Sequence, residues 1–334
     1  MTERPELLIV GGGPAGVSAA LWAVSLDLQA LLIDEGTAIG GTLHHLYFAP
    51  RDVTGVREVD GAGLATIYAQ QLADVAVPVR TGVRVARIEA THADSISGEA
   101  RAPIRVPGAW SPAGADRAPV AVVTHAGERL EAQALLIATG TRRRRLEVPG
   151  ERELEDRGVS YSANGDREQL RGRIVAVAGG GDAAYANAMI LARLGCVVTL
   201  VVREKPRARP EFQAGVAAFP AITVLTHTRV RAIEGSTKVE AVALDGADGA
   251  TRLPVEAIVI KAGMLPNSEW LGDAVARDAE GFVIVDARQR TSLARVWAAG
   301  DIVRPALPSI AVAAGGAALT LADMRAELKG RELS

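Results

Sequence analysis

An α/β fold made of two units of one design, each a parallel sheet with helices packed against it, is predicted by three observations. Glu6–Val10 (ELLIV) runs into a glycine turn at Gly11–Gly16 (GGGPAG), a helical stretch follows, and a second apolar run ends at Asp34; the pattern is strand, turn, helix, strand. The same series begins again at Arg173 with IVAVA, a turn at Gly179–Ala184 (GGGDAA), an Ala-rich helical segment to Leu194, and VVTLVV ending at Val202. Gly11 to Asp34 spans the same interval as Gly179 to Val202, so the units align without a gap, the mark of an internal duplication. The third observation is compositional: 49% apolar residues, 35 glycines and only 4% aromatics suit Ala/Val/Leu-rich layers better than a disordered chain or an aromatic-rich sandwich. At 334 residues, two domains each have enough chain to bury a core.

Three further apolar runs end in small residues: ALLIATG at Gly140, AIVIKAG at Gly263 and RVWAAGD at Asp301. Each brings backbone close to something. Val79–Glu89 with Val120–Leu130, and Ile222–Ile233 with Val239–Leu244, read as antiparallel excursions. Ala93–Pro119, with scattered Pro, Gly and charge and no period, reads as an inserted surface loop. Pro305–Ala322 is uncharged but rich in Ala, Gly and Ser, which suits a buried helix rather than a membrane span.

Composition also excludes functions. A net charge of −2 gives no general pull on polyanions, so nucleic acid is not an expected partner. One cysteine, Cys196, allows neither an intramolecular disulfide nor a Cys-based metal centre, and no metal site is expected. The opening residues lack the basic flank and cleavage site of a signal peptide, so the expectation is a cytoplasmic protein.

The glycine turns carry the ligand chemistry. Gly11 permits the tight turn, Gly13 lets backbone approach a pyrophosphate, Gly16 lets helix pack on strand, and Pro14 suits the first helical turn. The helix N-terminus then faces phosphate. Asp34 and Glu35 offer carboxylates to ribose hydroxyls, which favours a nucleotide without a 2′-phosphate, such as the adenosine half of FAD. In the second unit Gly179, Gly181 and Ala184 take the same three roles, with Asp182 and Ala183 in the turn, but the strand ends in Arg203 and Glu204. Arginine pairs with a 2′-phosphate and glutamate repels one, so NADPH is favoured narrowly over NADH, with Arg207 and Arg209 as further candidates or as a solvated basic loop.

These residues resemble the thioredoxin-reductase-like branch of two-dinucleotide flavoproteins, which includes the ferredoxin–NADP reductases of that fold. The likeness runs through GGGPAG, the pair Gly40–Gly41, ATG at Thr139–Gly140 followed by VPGE at Val148–Glu151, GGGDAA, GMLPNS at Gly263–Ser268 and AAGD at Ala298–Asp301. It implies two Rossmann-like domains, an FAD domain (1–141 and 264–334) interrupted by an NAD(P) domain (142–263) that pivots on the strands near Gly140–Arg142 and Lys261–Gly263. It also implies a homodimer. The implied FAD set comprises Gly11, Gly13, Pro14, Ala15 and Gly16, Asp34 and Glu35, Gly40, Gly41, Thr42 and Tyr47, Thr139 and Gly140, Gly300 and Asp301, and Ser309 and Ile310 at the start of a covering helix.

The departure is at the redox dithiol. The resemblance puts a CxxC after the GVS-like segment Gly158–Ser160; here Ser162-Ala163-Asn164-Gly165 follows, and then Asp166. A hydroxyl cannot form the reversible disulfide that carries two electrons, so the family's route to thioredoxin is closed by this reading. Cys196, at the start of an apolar strand, reads as a buried inert thiol. Electrons would then pass from the flavin directly to an external acceptor, either an acidic carrier such as ferredoxin or flavodoxin, or a small molecule. Gly40–Gly55, through Tyr47 and Asp52-Val53-Thr54-Gly55, resembles the ferredoxin–NADP reductases. Three side chains are candidates for proton chemistry: His44 and His45 beside the flavin, or else a structural pair, and Asp166 beside a bound acceptor, or else a turn residue. Arg142–Arg145 offers a docking patch for an acidic carrier, or a solvated loop. The alternative function is a flavin-binding redox sensor that makes no use of nicotinamide.

Overall fold

The computed structural model describes residues 4–50, 53–89, 119–247 and 249–330. The chain forms two compact units, Met1–Arg142 with Leu265–Ser334, and Arg143–Met264. The first opens with β1 (Leu7–Val10), α1 (Pro14–Ser25) and β2 (Ala30–Ile33), followed by α2 (Gly61–Asp74), β3 (Val79–Arg80), β4 (Val85–Glu89), β5 (Val120–Thr124), β6 (Arg129–Ala132) and β7 (Ala134–Ile137). After β8 (Thr141–Arg143) come β9 (Val159–Ser160), α3 (Arg167–Leu170), β10 (Ile174–Ala178), α4 (Asp182–Arg193), β11 (Val197–Val201), α5 (Pro210–Ala217), β12 (Ile222–Leu225), β13 (Arg229–Glu234), β14 (Ala241–Gly246), β15 (Gly249–Pro254) and β16 (Ala257–Ile260). β17 (Met264–Pro266), β18 (Val296–Ala298) and α6 (Ile310–Lys329) complete the chain, and β8 pairs with β17 in a two-stranded ribbon.

In the first unit the parallel sheet runs β18-β7-β1-β2-β3. Alternation decides its two faces. Leu7, Ile9 and Leu136 pack against α1 and α6, while Leu8, Val10 and Ile137 pack against the antiparallel sheet β4-β5-β6 through Val120 and Val122. Fully buried side chains such as Leu7 and Leu136 each contribute about 1.5–3 kcal/mol. Helix α6 is tied down by polar bonds as well: Asp323, 8% exposed, accepts from Arg290 Nε at 2.5 Å and Nη2 at 2.6 Å, and from Trp297 Nε1 at 3.0 Å.

The second unit repeats the plan. Its parallel sheet runs β12-β11-β10-β16-β9. Val175, Val177 and Val259 face α4 and α5; Ala176, Ala178, Ile258 and Ile260 face the antiparallel sheet β13-β14-β15. Both sheets change direction of winding beside the central strand, β1 or β10, which places a crevice at the carboxyl ends of the strands.

Several elements differ from the sequence expectations. Val79–Arg80 joins the parallel sheet beside β2, and only Val85–Glu89 turns antiparallel. Ile222–Leu225 likewise extends the second parallel sheet, and the antiparallel excursion gains a third strand, β15. Parallel pairing wins in both places because the apolar strand end continues an existing sheet. Of the loop read at Ala93–Pro119, residues 93–118 lie outside the described residues, as does Asp52. No helix among the described residues is long and apolar enough to cross a membrane.

Candidate functional site

The first crevice is built by glycine backbone. Gly11 has φ +111°, and a Cβ there would lie 2.3 Å from Ala138 O; one on Gly16 would lie 1.8 Å from Gly11 O. A Cβ on Gly13 would meet nothing within 4 Å. Gly13 caps α1 without a side-chain bond and Pro14 has no amide, so the first-turn amides of Ala15 and Gly16 have neither an intrahelical acceptor nor a capping side chain. Gly40 donates its amide to Gly12 O at 2.8 Å, and Gly41, at φ +53°, has its Cβ position 3.2 Å from Gly13 Cα, so the glycine pair packs against the turn. Gly300 (φ +82°) abuts Ala15, and Ile310 packs with Leu43, Leu64 and Ala65.

Side chains around this crevice divide into committed and available groups. Asp34 clamps the turn, accepting from Gly12 N at 2.5 Å and Gly36 N at 2.6 Å. Glu35 is exposed and has Arg84 at 3.5 Å. Thr139 exchanges two bonds with Asn267: Oγ1 donates to the Asn267 carbonyl and the Thr139 carbonyl accepts from Nδ2, both at 2.8 Å. Ser309 caps α6, accepting from Val312 N at 3.2 Å. Asp34, Thr139 and Ser309 thus each make a protein hydrogen bond at the crevice. Gly140 adopts φ +59°, Thr42, His44 and His45 lie on the turn Gly41–His45, and Tyr47 is half-exposed. His44 Nε2 is 3.0 Å from Ile39 O. Asp301 opens the turn Asp301–Val303; its half-buried carboxylate meets no protein donor among the described residues, and burial pushes its pKa up. Such a group fits a hydroxyl-bearing ligand.

The second crevice has the same frame. A Cβ on Gly179 would lie 2.3 Å from Lys261 O, Gly181 is open, and Ala184 is fully buried where the first unit has Gly16. Arg207 and Ala208 donate backbone amides to Gly180 O at 2.7 and 3.0 Å, which folds the arginine loop over the turn. Its side chains are mostly engaged. Arg209 binds Asp182 through backbone N (2.7 Å) and Nε (2.6 Å), holding that carboxyl below its ordinary range, and Arg203 pairs with Glu204 at 3.2 Å. Arg207 is exposed, and Arg203 and Arg209 stay solvent-accessible within their ion pairs.

The segment after β9 forms a hydroxyl turn. Ser162 Oγ accepts from Gly165 N at 3.1 Å, and Ser160 Oγ donates to Asp166 Oδ2 at 2.5 Å. Ser160 and Asp166 line a cavity of about 430 Å³ with Arg157, Arg173 and Lys238. Cys196 is buried, its Sγ bonded to Leu170 O at 3.0 Å. Within the run Arg142–Arg145 the arginines differ in their partners. Arg142 bonds Pro266 O, Asn267 Oδ1 and Glu269, whereas Arg145 holds Tyr161 OH and Glu155. Lys261 was not singled out by sequence. It is half-buried, donates to Tyr161 O, and is held down to about 8 by burial, with Arg143 lowering and Asp166 raising its pKa. A lysine ending the buried run AIVI was the available signal.

The family model for pyridine nucleotide-disulphide oxidoreductases matches residues 5–317. The chain belongs to this family. Thioredoxin reductase of Mycolicibacterium smegmatis is 33% identical over 93% of this chain and 92% of its own. An alkyl hydroperoxide reductase component of Pseudomonas putida is 30% identical over 96% of this chain, and bifunctional thioredoxin reductase/thioredoxin of Mycobacterium leprae is 32% identical over 95%; the chain spans only 58% and 64% of the length of those two proteins. The crystal structure of Lactococcus lactis thioredoxin reductase superposes with a TM-score of 0.76 at 26% identity, covering 98% of this chain and all of that one. The chain thus has the two-domain Rossmann architecture of its relatives, and its family's cofactors are FAD and NADPH. Both crevices fit dinucleotides: each has an open glycine at a helix N-terminus, and the first adds the Asp301 carboxylate, which meets no donor among the described residues.

Proposed function

We propose that this oxidoreductase carries electrons from NAD(P)H through FAD to an external acceptor without a redox dithiol. FAD, when bound, supplies two-electron acceptance from nicotinamide and onward release singly or in pairs. The observation that carries the reading is the segment Ser160–Asp166, where the Ser160 hydroxyl donates to the Asp166 carboxylate and the Gly165 amide donates to the Ser162 hydroxyl, together with a single cysteine bonded inside the core. The first unit's crevice binds FAD: the α1 amides meet the pyrophosphate, Glu35 the adenosine ribose, and Asp301 a hydroxyl of the chain leading to the flavin. The second unit's crevice binds the nicotinamide nucleotide at α4. The acceptor class is a one-electron protein carrier of the ferredoxin or flavodoxin kind, or a small molecule, and the chain acts in the cytoplasm as a homodimer.

Anaerobic mixing with NADPH and with NADH, followed by flavin bleaching, tests the donor side. The reduced protein is then offered ferredoxin, flavodoxin, a quinone and thioredoxin in turn. Bleaching that persists in Cys196→Ser, with reoxidation by an acceptor other than thioredoxin, is expected. Thioredoxin as the sole efficient acceptor overturns the proposal. The Arg203–Glu204 pair, which occupies the arginine a 2′-phosphate would use, favours a second reading, a flavin-binding redox sensor without nicotinamide use; absence of bleaching by both nucleotides selects it.

A further inference from the structure

The duplicated turns differ in charge at two matched positions. Three residues after the first glycine stands Pro14 in one unit and Asp182 in the other; beside the first glycine, the backbone carbonyl belongs to Ala138 in one unit and Lys261 in the other. The second crevice therefore carries an acid at its helix N-terminus, where the ligand is anionic, and also a cation that the first crevice lacks. Lys261 lies one residue beyond β16, its amide donating to Ala178 O at 2.7 Å, at the carboxyl edge of the sheet where the winding changes direction. Its ammonium donates to the Tyr161 carbonyl next to β9. No carboxylate lies within ion-pair distance of it among the described residues; Asp166, Arg143 and, around Tyr161, Arg145, Glu151 and Glu155 are the charged groups nearby.

A dinucleotide crosses such a crevice with its adenosine half read at the end of the second strand, here Val202–Glu204, and its pyrophosphate at the helix N-terminus. The other half lies over the strands on the opposite side of the switch point, β16 and β9, where Lys261 is. We propose that Lys261 is a binding contact for the nicotinamide half of the pyridine nucleotide, its ammonium donating to phosphate or ribose oxygens of that half. This rests on the reading of the second unit as the nicotinamide-binding one. The amine is still charged at pH 7, and two of its three N–H bonds remain after the Tyr161 carbonyl is satisfied.

The test is calorimetric titration of the oxidised holoenzyme with NADP⁺ and NAD⁺, and with the adenosine-half fragments 2′,5′-ADP and ADP, for wild type, Lys261→Met and Lys261→Arg. Loss of one charge-assisted hydrogen bond predicts dinucleotide binding weakened about tenfold or more in Lys261→Met. Fragment binding should be unchanged and Lys261→Arg should recover most of the loss. Equal dinucleotide affinity in Lys261→Met, or an equal loss for the fragments, overturns the assignment while leaving the nicotinamide reading standing. A wild-type protein that binds neither dinucleotide overturns both.

Discussion

Gly13 and Gly16 are three residues apart in one turn, yet substituting alanine should have opposite consequences. At Gly16 the added methyl would lie 1.8 Å from Gly11 O, so α1 must move off β1; overpacking of this kind costs about 3 kcal/mol, or a melting temperature lower by roughly 5–10 °C. At Gly13 the backbone is extended at φ −77°, and no protein atom lies within 4 Å of the added carbon. The entropy gained by removing a glycine, about 0.4–1 kcal/mol, is offset in part by the weaker capping of alanine, so the apoprotein should change by no more than about 0.5 kcal/mol. The same carbon fills the space where a pyrophosphate meets the helix, and a clash of about 1–3 kcal/mol weakens FAD binding roughly 10- to 100-fold. The assay is paired: thermal melts of deflavinated protein, and flavin-to-protein ratio after reconstitution. Gly13→Ala that melts like wild type and holds little flavin is the expected result. Undiminished flavin content in Gly13→Ala refutes the placement of the pyrophosphate, and a large loss of apoprotein stability refutes the claim that the space is empty of protein.

Asp323→Ala removes two charge-assisted hydrogen bonds from the largely buried Arg290 guanidinium and one from Trp297, and should destabilise the first unit by about 3–5 kcal/mol, measured by urea unfolding. Burial pushes the Asp323 carboxyl up, but the Arg290 and Trp297 bonds hold it below the ordinary carboxylate range. Its contribution is therefore full above about pH 4 and lost as pH falls through the lower folded value; the acid-side decline should shrink in the alanine variant. Asp301 behaves oppositely: its raised folded pKa means that the ionised form burdens the apoprotein as pH rises through that value, so Asp301→Asn should melt no lower than wild type at pH 7, with less flavin bound. Glu204→Gln frees Arg203 and removes a repulsion, and should raise the preference for NADPH over NADH roughly fivefold in steady-state kinetics.

The backbone of both crevices was legible in the sequence because phosphate recognition uses consecutive residues: strand, glycines and helix start all lie within one short window. The commitments of individual side chains were not. Asp34 ends the second strand, and its hydrogen-bond partner Gly12 is 22 residues away. Arg209 is held by Asp182 across 27 residues, and Thr139 by Asn267 across 128. Helix α2 was missed although Asp60 caps it by accepting from Gly63 N and Leu64, Ala65 and Leu72 form a buried stripe, both signals present in the sequence. Parallel pairing of Val79–Arg80 and Ile222–Leu225 was missed because these runs are too short to carry a period.

What the duplication adds is an internal control. Where the two units agree, at Gly11 and Gly179 or Gly13 and Gly181, the common requirement is close backbone approach to a pyrophosphate, and the geometry matches: a Cβ on each first glycine would lie 2.3 Å from a carbonyl oxygen, and one on each second glycine would meet nothing within 4 Å. Where they disagree, the chemistry of two different ligands is the remaining variable. Pro14 against Asp182 and Ala138 against Lys261 are such disagreements, and both change charge at matched points on the crevice wall. A pair of charges of opposite sign, added together to one copy of a repeated frame and absent from the other, is what distinct recognition by that copy requires. Transplanting the first copy's residues as Asp182→Pro with Lys261→Ala should preserve the fold of the second unit and remove its hold on the nicotinamide nucleotide, and retention of wild-type affinity would show that the charges serve something else.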